Sequence, residues 1–172
     1  MRHQAQAACR RVPVSSNVRP LVNIRQLHSS DLNALLALYR HLHVNDLPLP
    51  ERPEVERVWQ EALLNDKSRY FGGFEDDALV ASCLVVVVPN LTRGCRPYGL
   101  IENDVTHEAY RGRGWGKRIL QEALAFAWSL RCYKVMLLTG RRDEATLRFY
   151  EGAGFSREGK TGFIAKPPER AA

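Results

Sequence analysis

A glycine-rich segment with interspersed basic residues is the part of the chain whose residue types most clearly predict chemistry. It reads Tyr110-Arg111-Gly112-Arg113-Gly114-Trp115-Gly116-Lys117. The mixed residues 100–106 before it are typical of a strand, and the apolar spacing from Ile119 to Trp128 predicts a helix after it. Glycines let a backbone approach a ligand closely, and the first amides of a helix have no partner inside the helix. We therefore expect this segment to bind a phosphate or pyrophosphate group.

The residue spacing excludes two common phosphate-binding loops. The P-loop pattern requires Ser or Thr after its lysine, but Arg118 follows Lys117. The dinucleotide-binding pattern G-x-G-x-x-G requires a third glycine at the position that Lys117 occupies. The pattern that remains is R-x-x-G-x-G, from Arg111 to Gly116.

Length and composition limit the classes of protein to consider. The chain has 172 residues, 45% of them hydrophobic and 26% charged, which is ordinary for one soluble domain. No apolar run approaches the roughly 20 residues that cross a bilayer. The net charge of +6 would suit a nucleic-acid binder. However, many basic residues lie in the N-terminal tail and the glycine segment, and no basic helix carries interleaved aromatics, which argues against nucleic acid.

The cysteines and the N-terminus give expectations about location and domain boundaries. Cys9, Cys83, Cys95 and Cys132 form no C-x-x-C pair, so we expect neither a disulfide framework nor a metal site, and a cytoplasmic location. Residues 1–20 contain four arginines, no acidic residue and no apolar stretch of a secretory signal. We expect them to be a disordered extension, with the domain itself at residues 21–172.

Hydrophobic periodicity and turn residues predict the element order β-α-α-β-β-β-α-β-α-β-β. The last two strands are expected to form a closing hairpin. The predicted strands are 21–27, 70–75, 78–88, 98–106, 133–139, 155–157 and 162–165, and the predicted helices follow residue 31 and cover 55–63, 119–128 and 144–152.

A second motif lies downstream of the glycine segment: Asp143-x-x-Thr146-x-x-Phe149-Tyr150-Glu151-x-x-Gly154-Phe155. Together the two motifs resemble the R/Q-x-x-G-x-G/A and N-x-x-A-x-x-[LF]-Y-E-x-x-G-F signatures of the N-acetyltransferases of the GNAT superfamily. Here Asp143 replaces the usual Asn and Thr146 the usual Ala. The resemblance covers about residues 21–166. It implies an α/β (α+β) fold, with a central mixed, mostly antiparallel sheet flanked by helices, and an N-acetyltransferase domain at 21–172.

The resemblance also implies an activity. Family members transfer the acetyl group of acetyl-CoA to a primary amine by direct attack in a ternary complex, and we expect a small-molecule amine as acceptor. An amino sugar phosphate, an amino acid or a polyamine would fit, and the short segments 101–103 and 132–137 are similar to the glucosamine-phosphate N-acetyltransferase branch. The alternatives are a protein or peptide N-acetyltransferase and a non-catalytic acyl-CoA-binding module. Whether the chain forms a homodimer stays open.

The catalytic residues implied by the resemblance are a general acid and a general base. Tyr150 is expected to protonate the departing thiolate, with the alternative that it only packs against its aromatic neighbours. Glu102 is the candidate base, directly or through water, and Asp104 is its rival. Strand alternation predicts that Glu102, Asp104 and Thr106 share one face of their strand.

The cofactor-binding residues come from three places in the chain. The strand end is expected to pair with the pantetheine arm, with the amide of Val105 as the oxyanion donor. The glycine segment is expected to hold the pyrophosphate, and the second motif to complete the site. The full set is Asp104, Val105, Thr106, Arg111, Gly112, Arg113, Gly114, Trp115, Gly116, Lys117, Asp143 and Tyr150.

Overall fold

The structure is a computed structural model that describes residues 22–42 and 45–168. The predicted N-terminal extension lies outside these residues. Within them, five strands form one sheet: β1 (Val22–Gln26), β2 (Ser68–Glu75), β3 (Ala78–Val88), β4 (Tyr98–Thr106) and β5 (Val135–Leu137). The helices are α1 (Leu32–Tyr39), α2 (Arg52–Leu64), the single turn α3 (Thr92–Cys95), α4 (Trp115–Ser129) and α5 (Glu144–Gly152), with 3-10 turns at Ser29–Asp31 and Glu108–Tyr110.

The strands lie in the sheet in the same order as in the chain. β1 to β4 pair antiparallel with their neighbours, whereas β5 pairs parallel to β4. The α4 helix provides the long connection that a parallel pair requires. The predicted mixed, mostly antiparallel sheet is confirmed.

Helices cover both faces of the sheet. The consecutive glycines Gly72 and Gly73 show this directly, because successive strand residues point to opposite faces. A Cβ atom at Gly72 would overlap the Leu27 side chain, whereas one at Gly73 would lie 2.9 Å from Trp115. Leu27 belongs to the apolar layer formed with α1 and α2, and Trp115 to the layer formed with α4. The backbone of β2 is therefore in close contact with side chains of both apolar layers, one on each face of the sheet.

Capping residues and a proline determine where α1 and α2 begin. Asp31 accepts the amide of His28 at 2.7 Å and two bonds from the Arg25 guanidinium at 2.7 and 2.9 Å, which holds the turn before α1. This charge-assisted pair lowers the pKa of Asp31, with the Arg25 bond as the largest cause. Pro53 stands in the first turn of α2, where its missing N–H costs no helical bond.

A β-bulge divides β4 into two parts whose side chains alternate out of phase. Leu84 of β3 pairs with Glu102 and Ser82 with Val105, so β4 has one residue more than β3 over this span. Asn103, at φ 53°, lies in the bulge. Ile101 therefore belongs to the α4 layer but Val105 to the α1 and α2 layer, although four residues separate them.

The pairing of β4 with β5 is short. Only Gly99, Leu100 and Ile101 have partners in β5. Beyond Ile101 the two strands are no longer paired, so the edge of β4 from Glu102 to Thr106 is open on the β5 side. This gap between the two strands is where the candidate site lies.

Two sequence predictions at the C-terminal side were wrong. The predicted strand 133–139 shortens to Val135–Leu137, and residues 155–168 contain no strand, so the predicted closing hairpin is absent from the described chain. Two-stranded hairpins are marginal unless an apolar face is covered. Phe163 is 91% exposed and Ile164 is 78% exposed, so no such cover exists here. Among the described residues, no helix combines the length and apolar character needed to cross a bilayer.

Candidate active site

A cleft of about 1030 Å³ opens between the separated ends of β4 and β5 and runs to the first turn of α4. Apart from Arg113, every residue predicted for the site lines it: Glu102, Asp104, Val105, Thr106, Arg111, Gly112, Gly114, Trp115, Gly116, Lys117, Asp143 and Tyr150. The side chain of Arg113 lies elsewhere, 3.4 Å from the Glu75 carboxylate and over the ring of Tyr110.

The glycine segment presents backbone amides to the cleft. Gly112 and Gly114 adopt φ of 75° and 83°, in the left-handed region that favours glycine. Gly114 is the N-cap of α4, and its carbonyl accepts from the amide of Arg118 at 3.2 Å. The amides that precede Arg118 in the helix have no intrahelical acceptor. They form the positive end of the α4 dipole at the wall of the cleft.

Close packing places this helix start against two other elements of the site. A Cβ atom at Gly116 would lie 2.9 Å from the Phe149 ring of α5 and 3.3 Å from Oγ1 of Thr106. The absence of a side chain at Gly116 thus lets α4, α5 and β4 converge. The Trp115 ring is 2% exposed and packs in the core, so Trp115 contributes backbone rather than its ring to the cleft.

Arg111 connects the glycine segment to the rest of the cleft. Its Nε donates to the carbonyl of Thr106 at 3.2 Å, and its guanidinium also donates to the carbonyl of His41 at 3.4 Å. The rings of His41 and His107 lie 4.0 Å apart, which brings the end of α1 next to the same segment. Further cations that line the cleft are Lys117, Arg141 and Arg148.

The backbone of Thr106 faces the cleft, whereas that of Val105 does not. The amide of His107 donates to the carbonyl of Val80 at 2.9 Å. Residues two apart in an antiparallel strand direct their amides to the same side, so the amide of Val105 also points toward β3. The sequence expectation that this amide donates to an oxyanion therefore disagrees with the register.

Asp143 and Thr146, the two departures from the family motif, bind each other. Asp143 is the N-cap of α5, where Oδ1 accepts the Thr146 amide at 2.9 Å and Oδ2 accepts its hydroxyl at 3.0 Å. The bond from the Thr146 amide is the largest cause of the lowered pKa of Asp143. The carboxylate that replaces Asn is thus stabilised as an anion by its capping bonds at the start of α5.

Asp104 and Tyr150 face each other at the centre of the cleft. Burial raises the pKa of Asp104 to about 7, and hydrogen bonding to Tyr150 lowers it in part. The pKa of Tyr150 is raised to about 12, mainly by burial and then by the neighbouring Asp104. Oδ1 of Asp104 is buried without a hydrogen-bond partner among the described residues. The tyrosine also packs against Phe149 and Phe155, with ring centroids 4.9 and 6.4 Å away.

Glu102 lies on the other side of the bulge from Asp104. The expectation that Glu102, Asp104 and Thr106 share one face was wrong, because the extra residue reverses the alternation between positions 101 and 105. Glu102 is exposed at the cleft, whereas Asp104 is largely covered. The two carboxylates therefore have different surroundings and access to water.

Two features of the site lie outside the two sequence motifs, and sequence reasoning missed the first of them. The bulge at Asn103 leaves no sequence signal, since Asn is common in turns and αL positions generally. The segment that follows β5, from Leu138 to Arg141, also lines the cleft. In the described chain, no group of three or more His, Cys, Asp or Glu side chains is arranged to hold a metal ion.

The charges of the cleft are distributed unevenly. Helix amides, Arg111 and Lys117 lie at the end near α4, which suits a polyphosphate, while Arg141 and Arg148 come from the segment after β5 and from α5. Two carboxylates and a tyrosine occupy the middle, which suits proton transfer. An elongated ligand with an anionic end and a reactive end would fit both regions.

Comparison with known proteins identifies the family of the chain. Residues 33–155 match the model of the acetyltransferase (GNAT) family. The chain is 31% identical over 140 residues to the glucosamine 6-phosphate N-acetyltransferase of Trypanosoma brucei brucei, covering 78% of this chain and 88% of that protein. An acetyltransferase structure from Agrobacterium tumefaciens is 42% identical with a TM-score of 0.79, covering 84% and 99% of the two chains. A Trypanosoma brucei acetyltransferase structure is 28% identical, with a TM-score of 0.71 over 84% and 99%.

Proposed function

The chain belongs to the acetyltransferase (GNAT) family and is an acetyl-CoA-dependent N-acetyltransferase, and we propose that its acceptor is the primary amine of a small molecule. One observation carries the proposal: a single cleft joins a cationic, amide-lined end to a centre that holds Tyr150 and two carboxylates. The acceptor amine attacks the thioester directly, while donor and acceptor are bound together.

The donor end of the cleft is assigned to the phosphates of acetyl-CoA. The free amides at the start of α4, from Trp115 to Lys117, are placed to bind the pyrophosphate, with charge from Arg111 and Lys117. Gly112 and Gly114 hold the backbone turn that exposes them. Since the Arg113 side chain pairs with Glu75, its share in this binding is limited to its backbone.

The open edge of β4 is assigned to the pantetheine arm. Asp104, Val105 and Thr106 lie where β5 no longer pairs with β4, so an extended chain can enter between the strands. The Thr106 backbone faces this gap, as its bond from Arg111 indicates. Asp143 supports the opposite wall by capping α5, which carries Tyr150.

The chemistry requires proton transfers at two atoms. The acceptor amine must lose a proton before it attacks, and the thiolate of coenzyme A must gain one as it leaves. Glu102 is exposed at the cleft and is assigned the first transfer, from the acceptor ammonium to solvent. Tyr150 remains protonated at neutral pH, since its pKa is raised to about 12, and is assigned the second transfer.

Glucosamine 6-phosphate is the first candidate acceptor. The relative from Trypanosoma brucei brucei carries that substrate in its name and covers most of this chain. Arg141, Arg148 and His41 offer positive or hydrogen-bonding groups for an anionic acceptor at the cleft. A peptide amine is the alternative acceptor, and acyl-CoA binding without turnover is the alternative to catalysis.

A screen of amines tests the proposal by following release of free thiol from acetyl-CoA. The panel contains glucosamine 6-phosphate, glucosamine, free amino acids, polyamines, and peptides with a lysine or a free N-terminus. Turnover with a small amine, highest for one compound class, is the expected result. Turnover confined to peptides would replace the acceptor class, and acetyl-CoA binding in calorimetry without any turnover would indicate a non-catalytic module.

A further inference from the structure

The surroundings of Asp104 do not suit a permanent anion. The β4 bulge directs its carboxyl into the space between the sheet and α5, where Tyr150 is its hydrogen-bonding neighbour. Oδ1 is buried and unpartnered among the described residues. An ionised carboxylate with one oxygen buried and unpartnered carries a desolvation cost that the Tyr150 hydrogen bond offsets only in part. The neutral acid avoids that cost and adds a donor that can point at the tyrosine oxygen.

The titratable groups around Asp104 come from three elements. Cys83 on β3 is close enough for the carboxylate to raise the pKa of its thiol, after the larger effect of burial. Tyr150 faces it from α5, and Arg141, from the segment after β5, acts on Tyr150 by lowering its pKa. Glu102 lies beyond the bulge with different access to water. Tyr150 is therefore the group with which Asp104 can exchange a proton.

The leaving thiolate makes the charge of Asp104 important. If Tyr150 donates to sulfur, a tyrosinate forms beside Asp104 at the moment of transfer. An ionised Asp104 would place a second negative charge next to it, and like charges disfavour such a step. A protonated Asp104 instead offers a proton to the same oxygen.

We propose that Asp104, in its protonated form, passes its proton to Tyr150 as Tyr150 protonates the sulfur of coenzyme A. This inference rests on the proposed function, because it assigns a further residue to the same acetyl transfer. Asp104 acts through Tyr150 and is a proton-relay residue, distinct from the base that activates the acceptor.

The step balances in atoms and charge. The amine lone pair forms the C–N bond, the C–S bond breaks, and its electron pair stays on sulfur. The Tyr150 proton moves to sulfur, and the Asp104 proton moves to the Tyr150 oxygen, which leaves an aspartate. The acceptor ammonium releases one proton to solvent through Glu102 before the attack, and its nitrogen releases a second to solvent after the C–N bond forms. Asp104 regains one proton from solvent after product release, so one proton is released net.

A double-mutant cycle with Tyr150→Phe and Asp104→Asn tests the relay. Asparagine keeps the size of the side chain and can donate a hydrogen bond, but it cannot deliver a proton. With glucosamine 6-phosphate, or the amine that turns over in its place in the screen, we expect kcat to fall about 10²-fold in either single variant. The double variant should be no slower than Tyr150→Phe, because the two residues act in series. Asp66→Asn, at an exposed site that pairs with Lys67, is the matched control.

The pH profile supplies a readout that a merely structural role would not change. The wild type should lose kcat as pH rises through the pKa of Asp104, near 7 in the free protein, and Asp104→Asn should lack that limb. Acetyl-CoA affinity and thermal stability at pH 7 show whether the variant is folded. If it does not fold, a proton inventory of the wild type in mixtures of H₂O and D₂O decides: two protons in flight support the relay and one overturns it.

Several results would overturn the relay without touching the proposed function. If the wild type turns over and the Asp104→Asn variant has the same kcat, Asp104 has no role in the reaction. The same conclusion follows if the loss of kcat in the double variant equals the product of the losses in the two single variants. If Asp104→Asn lacks the fall of kcat at high pH but keeps the maximal kcat of the wild type, Asp104 has only an electrostatic effect. That result also rejects the relay. A wild type that turns over none of the amines rejects the proposed function instead.

Discussion

The carboxyl group of Asp104 faces the hydroxyl of Tyr150 across the gap between β4 and β5. Two separate features bring them together. The bulge at Asn103 rotates Asp104 toward α5, and the cap at Asp143 begins the helix that carries Tyr150. Burial raises the pKa of both groups, and Asp104 raises that of Tyr150 further, so Tyr150 stays protonated near pH 7 while Asp104 titrates there.

Replacing Tyr150 with Phe should lower kcat about 10²-fold and leave acetyl-CoA affinity nearly unchanged. The phenyl ring keeps the packing against Phe149 and Phe155 but removes the proton donor. Steady-state kinetics and calorimetry measure the two quantities. Tyr133→Phe, which removes a hydroxyl from a tyrosine that packs against Tyr98 and does not line the cleft, is the control. An unchanged kcat in Tyr150→Phe would end the role of Tyr150 as the acid.

Replacing Gly114 with Ala should weaken acetyl-CoA binding. At φ 83° an alanine costs about 1–2 kcal/mol, and relief of that strain would turn the α4 amides away from the phosphates. Gly94 is the matched control, since its φ is 69°, it has no atom within 4 Å of an added Cβ, and it does not line the cleft. Both variants should lose similar stability, but only Gly114→Ala should lose affinity. Equal affinities in calorimetry would contradict the assignment of the donor site.

The stability of the free protein should depend on pH through Asp104. Its folded-state pKa of about 7 lies above the ordinary value of 3.8. At pH values between these two, the folded protein holds a proton on Asp104 that the unfolded chain has released. Stability therefore falls as pH rises through this window. Relative to wild type, Asp104→Asn should gain on the order of 2 kcal/mol between pH 5 and pH 8 in urea unfolding. A constant difference between the two proteins would show that Asp104 titrates normally.

Replacing Glu102 with Gln should lower activity most at acid pH. If Glu102 accepts the ammonium proton of the acceptor, the rising limb of the kcat/KM profile should move to higher pH in the variant, because only neutral amine can attack. Acetyl-CoA affinity should stay unchanged. A variant with the wild-type profile would leave water, or Asp104 itself, as the first proton acceptor.

Much of the fold could be predicted because its signals are local. The cap at Asp143 gave the start of α5, and the apolar spacing after Gly114 gave α4. The closing hairpin failed for the opposite reason. Alternation in short segments indicates strand propensity, but a strand requires a partner edge and a cover for residues such as Phe163.

The candidate site also has a part that local sequence predicts and a part that depends on distant segments. The residues of the glycine segment are consecutive, so the sequence motif alone could predict that they lie together at the site. The exception is the Arg113 side chain, which pairs with Glu75 and does not line the cleft. The relation between Glu102 and Asp104 could not be obtained by counting along the strand. One additional residue at Asn103 reverses the faces of the residues that follow it.

The sequence by itself determined the donor chemistry: a helix start with free amides, glycines at left-handed positions, and the tyrosine motif downstream. These depend on neighbouring residues and on backbone preferences. Only the tertiary structure decided which carboxylate is exposed, which is buried, and that the buried one meets Tyr150. Those facts follow from strand register and from the separation of β4 and β5, because register sets the face of every side chain and is itself set by pairing between distant segments.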